Sequence, residues 1–340
     1  MRRINSILIL AFLISSCTNS FETIDGFTQG TTYHIIYEKD GVFGKSPEKM
    51  QFDIEYLFED FDLSLSSYVP GSIISRINNN DPEVVVDDYF KTVFFKSQEV
   101  YKISGGSFDI TVGPLVNAWG FGPENQTQAD SLLIDSLLQY VGMDKIKLSG
   151  DKVVKESDGI KLDVNAIAQG YSVDVVCEFL EKRKIENYLV EIGGELRSKG
   201  TKLLNEPWRV GIDKPYENNL IPGQNLQVIL KLEDCSLATS GNYRKFYEKD
   251  GIKYSHSINP KNGYPVMDTL LSATIIANDC MTADAYATAC MVMGFSESMN
   301  FIQKMSGIEA YLIYSGENGE FKIWKTEGFK DLILEENEMN

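Results

Sequence analysis

The chain has 340 residues, 43% of them hydrophobic, enough to bury a large core as one domain or two. Its 49 acidic residues outnumber the 32 basic ones, for a formal net charge of -17. Such a surface repels a nucleic-acid backbone, no basic patch or RNA-type motif opposes it, and a polyphosphate ligand would need a cation to screen the charge.

Arg2 and Arg3 open the chain, and residues 6–14 form an apolar run too short to span a bilayer. Ile14-Ser15-Ser16-Cys17 follows. An apolar residue, two small residues and a cysteine resemble a bacterial lipobox. That resemblance implies a signal peptide over residues 1–16 and diacylglycerol on the Cys17 sulfur. It also implies a lipidated tether over 17–25 and a working domain over 26–335. The domain would then act outside the cytoplasm, on the periplasmic side, anchored to a membrane.

Residues 31–37 have the β-branched and aromatic character of a strand. Ser46-Pro47 opens an amphipathic helix to about residue 61, with apolar positions at Met50, Ile54, Leu57, Phe58 and Phe61. Residues 87–103 predict another helix, closed by Gly105, and 131–141 a third. Residues 160–163 predict a short strand feeding a helix over 166–184. A buried strand over 188–192 ends in Gly193-Gly194. Strands are predicted at 208–212, 226–232, 236–239, 253–258 and 272–277, then helices over 282–294 and 296–305. Residues 310–314 and 321–324 close as a hairpin. Strands cluster in the second half without βαβ alternation, which predicts α+β rather than a doubly wound sheet. No G-x-G-x-x-G follows a strand and no Walker A sequence occurs, so the standard nucleotide loops are absent.

Beyond Cys17, Cys177, Cys235, Cys280 and Cys290 form no C-x-x-C pair and read as buried thiols. The only histidines are His34 and His256, too few for a histidine-rich zinc site. His256 sits at a strand end before the Asn259-Pro260 turn, a place that suits proton transfer. A structural histidine would look the same.

Asp284 and Thr288 are four apart on a helix of small residues, so their oxygens share a face. That pair suits a hard cation such as magnesium, and suits equally a cap or a solvated pair. Tyr68 precedes Pro70-Gly71, where its ring can lie on a planar ligand. Gly105-Gly106-Ser107-Phe108-Asp109 leads to the aromatics Trp119 and Phe121. Asp163 and Asn165 precede a helix N-terminus, which attracts anions such as phosphate; Asp163 also fits as a plain cap. Glu191-Ile192-Gly193-Gly194-Glu195 and Thr239-Ser240-Gly241-Asn242-Tyr243 complete the set.

These segments, in this order, resemble the ApbE family of FAD:protein FMN transferases over nearly all of the chain after the leader. The resemblance implies an ApbE-like, T-fold-like α+β domain of antiparallel sheets flanked by helices. It implies FAD as FMN donor, Mg2+ as cofactor, and transfer of FMN to a threonine or serine hydroxyl of a membrane-associated redox protein, with AMP released. Carried over, Asp284, Thr288 and the Ala166 carbonyl hold the metal. Tyr68 packs on the flavin or adenine, and Phe108, Asp109, Asp163 and Ile258 line the FAD site. Ser107, Gln169 and Ala287 join them as cofactor-binding positions. His256 is the candidate base, and Asp284 is counted with it as catalytic. The family usually has lysine where this chain has Gln169, which removes a positive group near a phosphate. Two other activities fit the same residues: a pyrophosphatase splitting FAD to FMN and AMP, and a non-catalytic FAD-binding lipoprotein.

Overall fold

The computed structural model describes residues 20–39, 46–124, 129–215, 223–242, 246–249, 252–255 and 257–338. Its chain opens with a hairpin of β1 (Phe21–Thr28) and β2 (Thr31–Glu38). Residues 21–25, expected in the tether, therefore pair as a strand. Then come α1 (Pro47–Leu65), α2 (Ile73–Asn78), α3 (Asp88–Ile103), α4 (Gly113–Ala118) and α5 (Ser131–Leu138). Ser46 caps α1 and Asp87 caps α3, each accepting a backbone N–H of the first turn. A small hairpin, β3 (Ile146–Ser149) and β4 (Lys152–Lys155), precedes α6 (Asn165–Lys182).

The second half is mostly strand: β5 (Tyr188–Ile192), β6 (Glu195–Lys199), β7 (Trp208–Asp213), β8 (Leu226–Leu232), β9 (Ser236–Gly241), β10 (Phe246–Lys249), β11 (Ile252–Ser255) and β12 (Leu270–Ala277). It closes with α7 (Cys280–Met293), α8 (Phe295–Ile302), β13 (Glu309–Ser315), β14 (Phe321–Lys325), α9 (Glu327–Lys330) and β15 (Ile333–Glu336). The strand expected at 160–163 is reduced to a single parallel bridge between Lys161 and Val112. The one expected at 253–258 ends at Ser255, with an isolated bridge at Ile258. The α+β expectation holds: the main sheet has eight strands in the order β1-β2-β5-β6-β9-β12-β13-β14, every pair antiparallel.

Alternation along those strands feeds two cores. Val190, Ala238 and Ile275 face the helices, while Leu189, Leu237 and Ile276 face the other way. There they meet Trp208, Val228, Leu230 and Leu232 of the three-stranded sheet β15-β8-β7. On the helical face α6 and α7 lie side by side, with α1 and α3 outside them. Among the described residues no helix is long and apolar enough to cross a membrane.

α7 is apolar on all sides, the mark of a helix buried all round. Every residue from Cys280 to Val292 is buried except Thr288. Small residues let α6 approach closely. A Cβ on Gly170 of α6 would sit 2.4 Å from the Cys280 carbonyl oxygen and 2.7 Å from the Asp284 Cβ. The seam thus requires glycine, because the groups it would strike are backbone and a buried side chain. Cys177, Cys280 and Cys290 are buried and Cys235 is half-buried, all as free thiols.

Gly170→Ala is expected to destabilise the fold by about 1–3 kcal/mol through forced separation of the two helices. Urea unfolding of variant and parent measures this, and equal midpoints would show that the seam yields freely.

Candidate active site at the seam of two helices

Asp284 is 5% exposed and lies one helical turn before Thr288 on α7. Its Oδ2 accepts a hydrogen bond from the Gly170 N–H at 2.9 Å. In a regular α-helix that N–H faces the carbonyl four residues earlier, here Ala166. The bond therefore sets the Asp284 carboxylate beside the Ala166 carbonyl, and the i,i+4 spacing sets the Thr288 hydroxyl above it. Thr288 Oγ1 also lies 3.3 Å from the Ser240 hydroxyl on β9. Carboxylate, hydroxyl and carbonyl oxygens are the donor types a hard cation such as Mg2+ takes. Among the described residues no group of three His, Cys, Asp or Glu side chains is placed to hold a metal ion.

Burial pushes the Asp284 carboxyl up to about 7; the Gly170 N–H opposes the shift and the Asp174 carboxylate adds to it. A buried, underneutralised carboxylate is what a cation would stabilise. Asp174 is itself buried on α6 and anchors the start of α7. It accepts the Cys280 and Met281 N–H groups at 3.0 and 2.8 Å, and Arg197 of β6 at 2.9 Å. Asp279 caps the same helix through the Thr282 N–H.

The N-terminus of α6 forms the next wall. Val164 makes no side-chain cap, and Asp163 Oδ1 accepts the Asn165 N–H at 2.9 Å. Asp163 thereby takes a capping role as well as facing the site. Its carboxyl is pushed up by burial, which the Asn165 N–H opposes. Tyr68 is 62% exposed, leaving a ring face available for stacking. Partial burial of its hydroxyl and the nearby Asp163 charge both push its pKa up. Beside Asp163 lies a polar cleft of about 160 Å³, lined among others by Ser67, Asn78, Asn117 and Lys161. The Ser67 hydroxyl is buried with no hydrogen-bond partner among the described residues.

The Ser107–Thr111 segment packs against this wall: the Asp163 N–H donates to the Ile110 carbonyl at 2.7 Å. Ser107 and Phe108 are buried, and Ser107 Oγ receives Lys261 Nζ at 3.3 Å. Ile258 is buried with Leu115 and Ala118 of α4. Asp109 has both oxygens engaged inside the protein, by the Thr111 N–H and hydroxyl at 2.8 and 2.6 Å and by the Met143 N–H at 3.1 Å. It shapes the loop. Ala287 has no exposed surface and packs in the core. Its small size spares room beside Thr288. Gln169 donates from Nε2 to the Ile192 carbonyl at 3.1 Å and lies against Gly193. An amide thus fills a donor position facing the β5–β6 turn. His256 and Cys17 lie outside the described residues.

Ser240, Ser67 and the anchoring pair Asp174–Arg197 are site-building residues that the sequence reading did not single out. Strand alternation from Ala238, which faces the helices, assigns Ser240 to the same face. Asp174, a lone acid in an apolar helical run, carried the signal of a buried charge needing partners.

The family model for the ApbE family matches residues 29–312. The chain belongs to the ApbE family. It is 34% identical to the FAD:protein FMN transferase of Haemophilus influenzae, over 97% of each chain. It is 35% identical to that of Vibrio cholerae, over 94% of this chain and 96% of the other. Among solved structures, the flavin transferase ApbE from Vibrio cholerae superposes with a TM-score of 0.83 at 33% identity, covering 92% of this chain and 99% of that one. The apo flavinyl transferase ApbE of Pseudomonas stutzeri gives 0.82 at 30% identity, covering 92% and 97%.

The raised Asp284 carboxyl has a consequence for stability. Native metal-free protein holds this proton up to about 7, whereas the unfolded chain releases it near the ordinary 3.8. Between those values the native state binds more protons, so the contribution is present at low pH and lost as pH rises through the native value. Metal-free parent should therefore lose stability relative to Asp284→Asn between pH 5 and 7, by up to about 1.4 kcal/mol per pH unit. Denaturant unfolding in EDTA at both pH values checks this; parallel profiles would contradict it.

Proposed function

We propose that this chain transfers FMN from FAD to a serine or threonine hydroxyl on a target redox protein, as a phosphoester, with AMP as leaving group and Mg2+ as cofactor. Family membership supports the flavin transfer. The observation that supports the site assignment is the 2.9 Å contact between Gly170 and Asp284, which holds a buried carboxylate against the first turns of α6. Asp284, Thr288 and the Ala166 carbonyl would hold the ion, which when bound would screen the pyrophosphate and polarise its phosphorus.

The chain's own groups do the rest. The α6 N-terminus faces an anion with backbone N–H groups and a favourable dipole. Tyr68 offers its exposed ring to a planar group, and the cleft beside Asp163 offers polar partners, among them Ser67. The acceptor oxygen forms a bond to the FMN phosphorus as the bond to the AMP phosphate breaks. His256 is assigned to take the hydroxyl proton. Positioning and charge neutralisation dominate, as transfer through a loose phosphoryl-type transition state demands.

We also propose lipidation of Cys17 and action on the extracytoplasmic side of a membrane. The lipobox-like sequence supports it. Only Thr18, Asn19 and Ser20 separate that cysteine from β1, so the domain would sit close to the bilayer, near membrane-associated acceptors.

Mass spectrometry of the domain with FAD, Mg2+ and an acceptor protein tests the reading. The acceptor is expected to gain the mass of FMN with release of AMP, and EDTA should abolish both. Asp284→Ala should lower the rate by about 100-fold or more. Free FMN and AMP without a labelled acceptor would identify a pyrophosphatase instead, and intact bound FAD a binding protein.

A further inference from the structure

α1 buries one face and leaves a second apolar stripe in solvent. Met50, Ile54, Phe58 and Phe61 enter the core. Phe52, Tyr56 and Leu63 do not: they are 62%, 64% and 56% exposed. At 100° per residue, positions 52, 56 and 63 fall within about 40° of one another, on a stripe about 16 Å long. Isolated exposed apolar residues need no explanation, but three large ones aligned on one helix face mark an interaction surface. Glu59 sits on the stripe itself, between Tyr56 and Leu63, and Glu48, Glu55 and Asp60 flank it; all four are exposed. The cation among them, Lys49, lies over the Phe52 ring and pairs with Asp53 at 2.9 Å. The border is therefore acidic in effect.

The stripe also leads to the site. Leu63 lies in the last turn of α1, and the chain then passes directly through Ser66 and Ser67 to Tyr68. Ser67 and Pro70 line the cleft beside Asp163. We propose that this face of α1 docks the protein that receives FMN, and that the partner meets it with an apolar patch bordered by Lys or Arg. The inference rests on the transferase reading above, which requires a macromolecule to bring its hydroxyl to this cleft. Charge selects the partner. A second copy would set one acidic border against another, and an anionic lipid surface would meet the same repulsion. A basic, apolar protein surface satisfies both the stripe and its border.

The probe is a purified acceptor protein that the parent labels with FMN, followed by its mass gain. Phe52→Ser, Tyr56→Ser and Leu63→Ser combined are expected to raise KM for that acceptor at least tenfold. The kcat at saturating acceptor, and FAD binding read by flavin fluorescence, should not change. The charge variant Glu59→Lys/Asp60→Lys should raise the same KM, and added salt should raise it in the parent. An unchanged KM in both variants overturns the proposal. So does a parent dimer that the triple variant dissociates with KM unchanged, or loss of binding to phosphatidylglycerol vesicles with KM unchanged. A parent that labels no protein removes the transferase reading and this inference together.

Discussion

Gly170 and Asp284 meet across the seam between α6 and α7, and the arrangement of the site follows from that contact. A backbone N–H that would ordinarily serve only its own helix also holds a carboxylate from the neighbouring one. The absence of a Cβ at residue 170 lets the helices close to the distance at which this is possible. Both helices are tied into the eight-stranded sheet, so the contact is fixed by the whole α+β core rather than by a loop. A donor set built on packed helices keeps its geometry before ligand arrives, which is what catalysis by positioning needs.

Burying Asp284 carries a cost that the surroundings only partly offset. One N–H bond stabilises its charge, and Asp174 nearby has the same sign. Asp174 differs in having Arg197 and two backbone N–H groups, which offset part of the cost of its burial. The two acids divide the work. Asp174 pins the start of α7 in place, while Asp284 is left with a deficit that a cation can fill. Thr288 is the one position between Cys280 and Val292 that is not buried.

Much of this was legible in the sequence because local patterns carry it. The 3.6-residue periodicity and the caps Ser46 and Asp87 mark α1 and α3, and the Asp284–Thr288 spacing puts those two side chains on one side of α7. What stayed hidden depends on distance along the chain. Gly170 reads as an ordinary helical glycine until its partner, 114 residues away, is in place. Asp109 reads as a ligand carboxylate, and its bonds from Thr111 and Met143, which hold the loop, come from partners that local pattern does not reveal. Residues 21–25 read as tether because they are polar and follow the leader, and pairing with β2 is what makes them a strand. The outer stripe of α1 was overlooked because the same helix already offers a core-facing stripe that explains its periodicity.

Asp284, Thr288 and the Ala166 carbonyl are proposed to form one cation site at the seam. Crystals of the domain grown with FAD and Mn2+, measured near the manganese absorption edge, test it most directly. An anomalous peak touching all three oxygens, and absent from crystals of Asp284→Ala, is expected. A peak bound elsewhere, or one that survives that substitution at the same place, would contradict it.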